Sequence, residues 1–142
     1  MSAAEGGYRI LDHTADVGLE ARGGDLAELF SNAARGMFAV MASPDTVRPD
    51  KELSVKVCAD NLENLLVNWL SELLYLSASK GMLFSRFDIA QIDREQVVGK
   101  ALGEPIDQAR HELYSEIKAV TYHDLEVKKL DGDWMARVLF DI

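Results

Sequence analysis

Residues 12 to 16 read Asp12-His13-Thr14-Ala15-Asp16, so two carboxylates, an imidazole and a hydroxyl crowd into five positions. Carboxylate oxygens are the donors that hard cations such as Ca2+, Mg2+ and Mn2+ select. The same residues also suit a plain turn, because Asp and Thr side chains bond to nearby backbone amides. A second source of oxygens stands at Phe140-Asp141-Ile142. If that end frays, Asp141 is simply solvated. If the apolar final strand packs Ile142, the terminal carboxylate is fixed beside Asp141 and a second pair of oxygen ligands results.

Lys118 lies within Glu116-Ile117-Lys118-Ala119-Val120-Thr121-Tyr122-His123. It reads either as an outward charge or as a cation that pairs with the carboxylates or with a partner's phosphate. His111 and His123 read as satisfied or exposed histidines. Other chemistries are excluded by what the sequence lacks. No phosphate-binding glycine loop, dinucleotide fingerprint or nucleophile elbow occurs, and no organic cofactor is expected. One cysteine and three scattered histidines offer no ligand pair at zinc spacing.

The elements that must position these groups come from a chain of 142 residues, 48% hydrophobic and 27% charged, the size and composition of one globular domain. With 24 acidic against 15 basic residues the net charge is −9. Affinity for nucleic acid comes mainly from Lys and Arg releasing counterions, so strong direct binding of nucleic acid is not expected, and a basic protein partner or a cation suits the chain better. Cys58 reads as a buried, reduced thiol in a cytoplasmic protein. Met1 to Gly7 read as a flexible start without a signal-peptide core, and no stretch is long and apolar enough to span a membrane.

Short strands are expected at Tyr8 to Asp12 and Val17 to Arg22. Asp25 with Glu28 forms a capping box for a helix that buries Leu26, Leu29, Phe30, Ala33, Met37, Phe38 and Met41. Asp60 with Glu63 opens a second helix, whose stripe around Trp69 is core and which Gly81 ends as a left-handed cap. Glu52 to Ala59 alternates as a strand, Phe87 to Ile92 and Gln96 to Leu102 suit a hairpin, and Gly103 to His111 reads as a loop. Glu116 to Val127 and Trp134 to Ile142 flank an Asp131-Gly132 turn. Regular pairing from that turn sets Glu126 opposite Arg137, Leu125 opposite Val138 and Tyr122 opposite Asp141. The expected fold is one α+β domain, a two-layer sandwich with a mixed β-sheet backed by two amphipathic helices.

Three segments, Tyr8 to Asp16, Glu116 to His123 and Phe140-Asp141-Ile142, together resemble the archease family in order and spacing. The resemblance covers nearly the whole chain. It implies a non-catalytic activator of the GTP-dependent RNA ligase of tRNA splicing and RNA repair, which promotes ligase guanylylation and multiple turnover through a divalent cation. By the same resemblance Asp16 and Asp141 are the leading metal ligands, Asp12 and Ile142 the next, and Lys118 a functional contact. His13, Glu116 and His123 fall in matching motifs without an assigned role. Two other readings compete. One is a metal-dependent enzyme acting on a phosphoester or nucleotide with Asp12, Asp16 and Asp141 as ligands, and the other a chaperone-like modulator of a tRNA methyltransferase.

Overall fold

The structure is a computed structural model that describes residues 5–12 and 16–142. Its elements run β1 (Tyr8–Asp12), β2 (Asp16–Gly23), α1 (Leu26–Met41), β3 (Lys51–Cys58), α2 (Leu62–Lys80), β4 (Met82–Ile92), β5 (Gln96–Pro105), β6 (Ala119–Leu130) and β7 (Asp133–Asp141). A 3-10 turn at Glu5–Gly7 precedes them, and Arg35 donates from Nη1 to the Gly6 carbonyl at 2.8 Å, so the end of the expected flexible start is tied down.

The class is α+β with two helices, as the periodicity predicts. The single mixed sheet is not what forms. The strands divide into two antiparallel sheets, ordered β1-β2-β7-β6 and β3-β5-β4. The physical reason lies in α1, whose Leu29, Phe30, Ala33, Ala34 and Met37 are fully buried together with Phe38 and Val40. These positions wrap more than half of the helix, and one sheet covers only one side of it. Accordingly α1 touches β1, β2 and β7 on one side and β4 on the other, while α2 touches β6 of the first sheet and β3, β4 and β5 of the second. Trp69, wholly buried, anchors the helix pair by donating from its indole nitrogen to the Phe30 carbonyl at 3.1 Å.

Local signals at the helix ends hold with small shifts. Asp25 caps α1 by accepting from the Glu28 amide at 2.8 Å, while the Glu28 carboxylate reaches back to Gly24 rather than to Asp25. Asn61, not Asp60, caps α2 by accepting from the Asn64 amide. Gly81 ends it at φ 63, as expected. Cys58 is exposed, a correction to the buried thiol: Val55 is the buried residue of β3, and Cys58 has the opposite parity on the strand. No helix among the described residues is long and apolar enough to cross a membrane.

The β6–β7 ladder starts as the turn predicts, with Leu130 opposite Asp133 and Glu126 opposite Arg137. It then departs from the expected register. Thr121 lies opposite Leu139 and Ala119 opposite Asp141, so the four residues Tyr122 to Leu125 span the single position of Val138. Asp124 makes this bulge with φ 55 in the left-handed region, which Asp tolerates better than most residues. Tyr122 therefore does not face Asp141. The bulge takes up three residues and brings Lys118 and Ala119 there instead.

Candidate functional site

Asp16 and Asp141 are direct cross-strand partners at one end of the β2–β7 ladder. Their neighbours Val17 and Phe140 pair next to them and are buried at 7% and 0% exposure. Strand alternation therefore turns both aspartates to the sheet face opposite the helices, where directly opposed residues hold their Cβ atoms roughly 5 Å apart. Asp141 is exposed and Asp16 half-buried. The third strand completes the row. Ala119 lies opposite Asp141 on its other side, and the Lys118 amide donates to the Asp141 carbonyl at 2.7 Å. The central strands of the four-stranded sheet, β2 and β7, thus meet the Lys118 segment at one corner.

Two like charges directly opposite each other destabilise a ladder unless something offsets them. Among the described residues neither aspartate has an ion-pair partner. The donor set, two carboxylates with no sulfur or imidazole beside them among the described residues, fits a hard divalent cation, as do the oxygens of a partner or of water that would complete its shell. No group of three His, Cys, Asp or Glu side chains that could hold a metal ion gathers at one place among the described residues, and the described part of the corner offers two carboxylates. Asp12 ends β1 with its backbone opposite Val17, next to the corner. His13 lies outside the described residues. Ile142 follows β7 at 37% exposure.

Glu116 and Lys118 are exposed and line a cleft of about 710 Å3 between α2 and the segment leading into β6, together with Leu74, Tyr75, Ile106 and Ile117. Tyr75 and Ile106 stand open at 64% and 41% exposure. Sequence reasoning missed this cleft, since Leu74 and Ala78 fit the core stripe of α2. The available signal was Tyr75, which widens the apolar arc beyond what one packed face needs. His123 sits in the bulge, exposed, 3.5 Å from Asp124 and away from the aspartate pair's row. His111 is buried and satisfied by Glu104 and the Asp107 amide, as a structural histidine should be.

Residues 8–142 match the model of the Archease protein family (MTH1598/TM1083). The chain belongs to the archease family. It is 40% identical over 139 residues to the protein archease of Methanosarcina mazei, covering 95% of each, and 39% identical over 135 residues to that of Pyrococcus furiosus, covering 92% of this chain and 95% of the other. Among solved structures, the solution structure of Methanobacterium thermoautotrophicum protein 1598 aligns with a TM-score of 0.83 at 39% identity, over 96% of this chain and 99% of that one. A crystal structure of an archease from Thermotoga maritima, described as a possible chaperone, shares the fold at a TM-score of 0.63 and 23% identity, over 93% of this chain and 94% of that one.

Proposed function

We propose that this archease-family chain is a non-catalytic, cytoplasmic activator of the GTP-dependent RNA ligase of tRNA splicing and RNA repair, and that it promotes ligase guanylylation and multiple turnover from the corner built by Asp16 and Asp141. The observation that carries the reading is the direct pairing of those two aspartates beside Lys118. A divalent cation held there would supply concentrated positive charge to phosphate oxygens. Asp16 and Asp141 would hold it, and Asp12 and Ile142 are the further oxygen donors of this proposal. Lys118 is tied to the same corner by its backbone amide's bond to β7, and its side chain would add a cation beside it, on the side of the α2 cleft. The surplus of acidic residues steers the chain toward a basic, RNA-binding protein surface rather than toward RNA itself.

The test is multiple-turnover ligation by the ligase in the presence of Asp16→Ala or Asp141→Ala. Folded variants that no longer support repeated turnover agree with the reading. Variants that activate like the parent chain would remove the site from the mechanism. A chaperone-like role is favoured by one observation, the open apolar cleft at Tyr75 and Ile106. Under that reading Tyr75→Glu abolishes partner binding while Asp16→Ala leaves it unchanged.

A further inference from the structure

Four strand positions along from Asp16, on the same face of β2, Glu20 lies buried at 5% exposure. At about 3.3 Å per residue the two carboxylates stand roughly 13 Å apart. Three arginines from three strands converge on Glu20. Arg9 of β1 donates to it at 2.7 Å, Arg22 of β2 stands 3.6 Å away and Arg137 of β7 3.8 Å away. Burial works to raise the Glu20 pKa, but the bond from Arg9 and the charges of Arg9, Arg22 and Arg137 outweigh it and leave the group below the usual carboxylate range.

One arginine suffices to neutralise and satisfy a carboxylate. Here only Arg9 hydrogen-bonds to Glu20, and the guanidiniums of Arg22 and Arg137 make no side-chain hydrogen bond among the described residues. Each carries five donors in a planar fork that matches an oxyanion. Lys128 lies in the same row as Arg22, across Met135, and Glu126 faces Arg137 but pairs with Lys128 at 3.4 Å. Around Glu20 four cations thus meet two carboxylates, in a chain whose net charge is −9 and on a sheet face that carries Asp16 and Asp141 further along. A local excess of positive charge on so acidic a chain costs repulsion among like charges unless a further anion offsets it.

We infer that Arg22 and Arg137, drawn together by the Glu20 carboxylate that Arg9 also binds, form a binding site for a phosphate group on the outer face of the four-stranded sheet. Glu20 is the organiser, drawing the guanidiniums to one place while leaving most of their donors outward. The ligand class is a phosphoryl oxyanion, from either a free nucleotide or the phosphodiester of a single RNA strand. The acidic remainder of the chain keeps affinity for a long polyanion low, so the site would recognise one or two phosphates rather than grip nucleic acid by itself.

The experiment titrates inorganic phosphate, GTP and a short single-stranded RNA, each at constant ionic strength, while following the Nε–Hε signals of the arginines by NMR. Saturable shifts of Arg22 and Arg137 on the unmodified chain are expected, and Arg22→Gln or Arg137→Gln should each weaken phosphate binding about tenfold. Arg86→Gln removes the same charge from the other sheet, where Arg86 pairs with Asp88, and should change affinity less than about twofold. Tighter binding of GTP or of the RNA names the source of the phosphate, and either supports the site. Absent or unsaturable shifts overturn it, as does an Arg86→Gln variant weakened as much as Arg137→Gln. Because shifts are read first on the parent chain, the outcome does not depend on any variant folding.

Discussion

Asp16 and Asp141 face each other across the β2–β7 ladder although nearly the whole chain separates them in sequence. That relationship makes a prediction about metal that needs no ligase. Ca2+ or Mn2+ should raise the thermal midpoint of the parent chain, by the stability of binding to the folded state alone, about 2.7 kcal/mol at a hundredfold excess over Kd. Asp16→Asn and Asp141→Asn should each lose that rise. In metal-free buffer both should be no less stable than the parent, since each removes a like-charge pair. Equal metal-induced shifts in parent and variants would separate the aspartates from any cation the chain binds.

Gly103 of β5 leaves no room for a side chain, because a Cβ there would run into the Leu83 carbonyl at the edge of a bulge in β4. Gly103→Ala must push the two backbones apart. A loss of at least about 2 kcal/mol is expected in denaturant unfolding. Gly81→Ala meets nothing within contact distance and should cost less, about 1 kcal/mol, from its left-handed φ alone.

Glu104 predicts the chain's response to acid. Hydrogen bonds from Arg110, from the Arg48 amide and from His111 hold its pKa down at about 2, against an ordinary value of 4.5. A depressed folded-state pKa contributes stability that is present above the unfolded value and is lost as pH falls through the folded one. The contribution should therefore fade between about pH 4.5 and pH 2. Glu104→Gln should be less stable than the parent at pH 7, and the gap should close in that window. A gap constant down to pH 2 would contradict the pairing.

His111 has a defined tautomer. Its Nδ1 accepts from the Asp107 amide at 2.9 Å, so the ring proton sits on Nε2, which donates to Glu104 at 2.9 Å. Nitrogen-15 spectra at neutral pH should show the Nε2–H form. An Nδ1–H form would mean that the loop from Asp107 to His111 is arranged differently.

Much of this was legible before any coordinates. Periodicity and caps located both helices, and Asp131-Gly132, with Asp131 at φ 54 and Gly132 at φ 86, is the turn its dipeptide announces. The pairing of Glu126 with Arg137 followed from it. What was not legible depends on residues that carry no local signature. Nothing in Tyr122-His123-Asp124 marks a bulge, since Asp is only one of several residues tolerant of a left-handed backbone, and the shift of three positions puts Ala119 rather than Tyr122 opposite Asp141. The second sheet is hidden because α1's wide apolar arc is indistinguishable, in sequence, from one broad packed face. The arginine cluster was invisible for a different reason: Arg9, Arg22 and Arg137 become neighbours only when β1, β2 and β7 lie side by side. By contrast the aspartate pair rested on where the first and last motifs end up, and their strands do lie together.

The β2–β7 ladder also governs how the chain reaches its native state. The hairpins β1–β2, β4–β5 and β6–β7 are local in sequence and of the kind that forms in microseconds. Joining β2 to β7 closes a loop that holds both helices and the other sheet, an entropic cost that must be met before the contacts repay it. The corner of Asp16 and Asp141 should therefore form in the late, slow event of folding, and the ion binding proposed for it should emerge during refolding with that phase and not with early collapse.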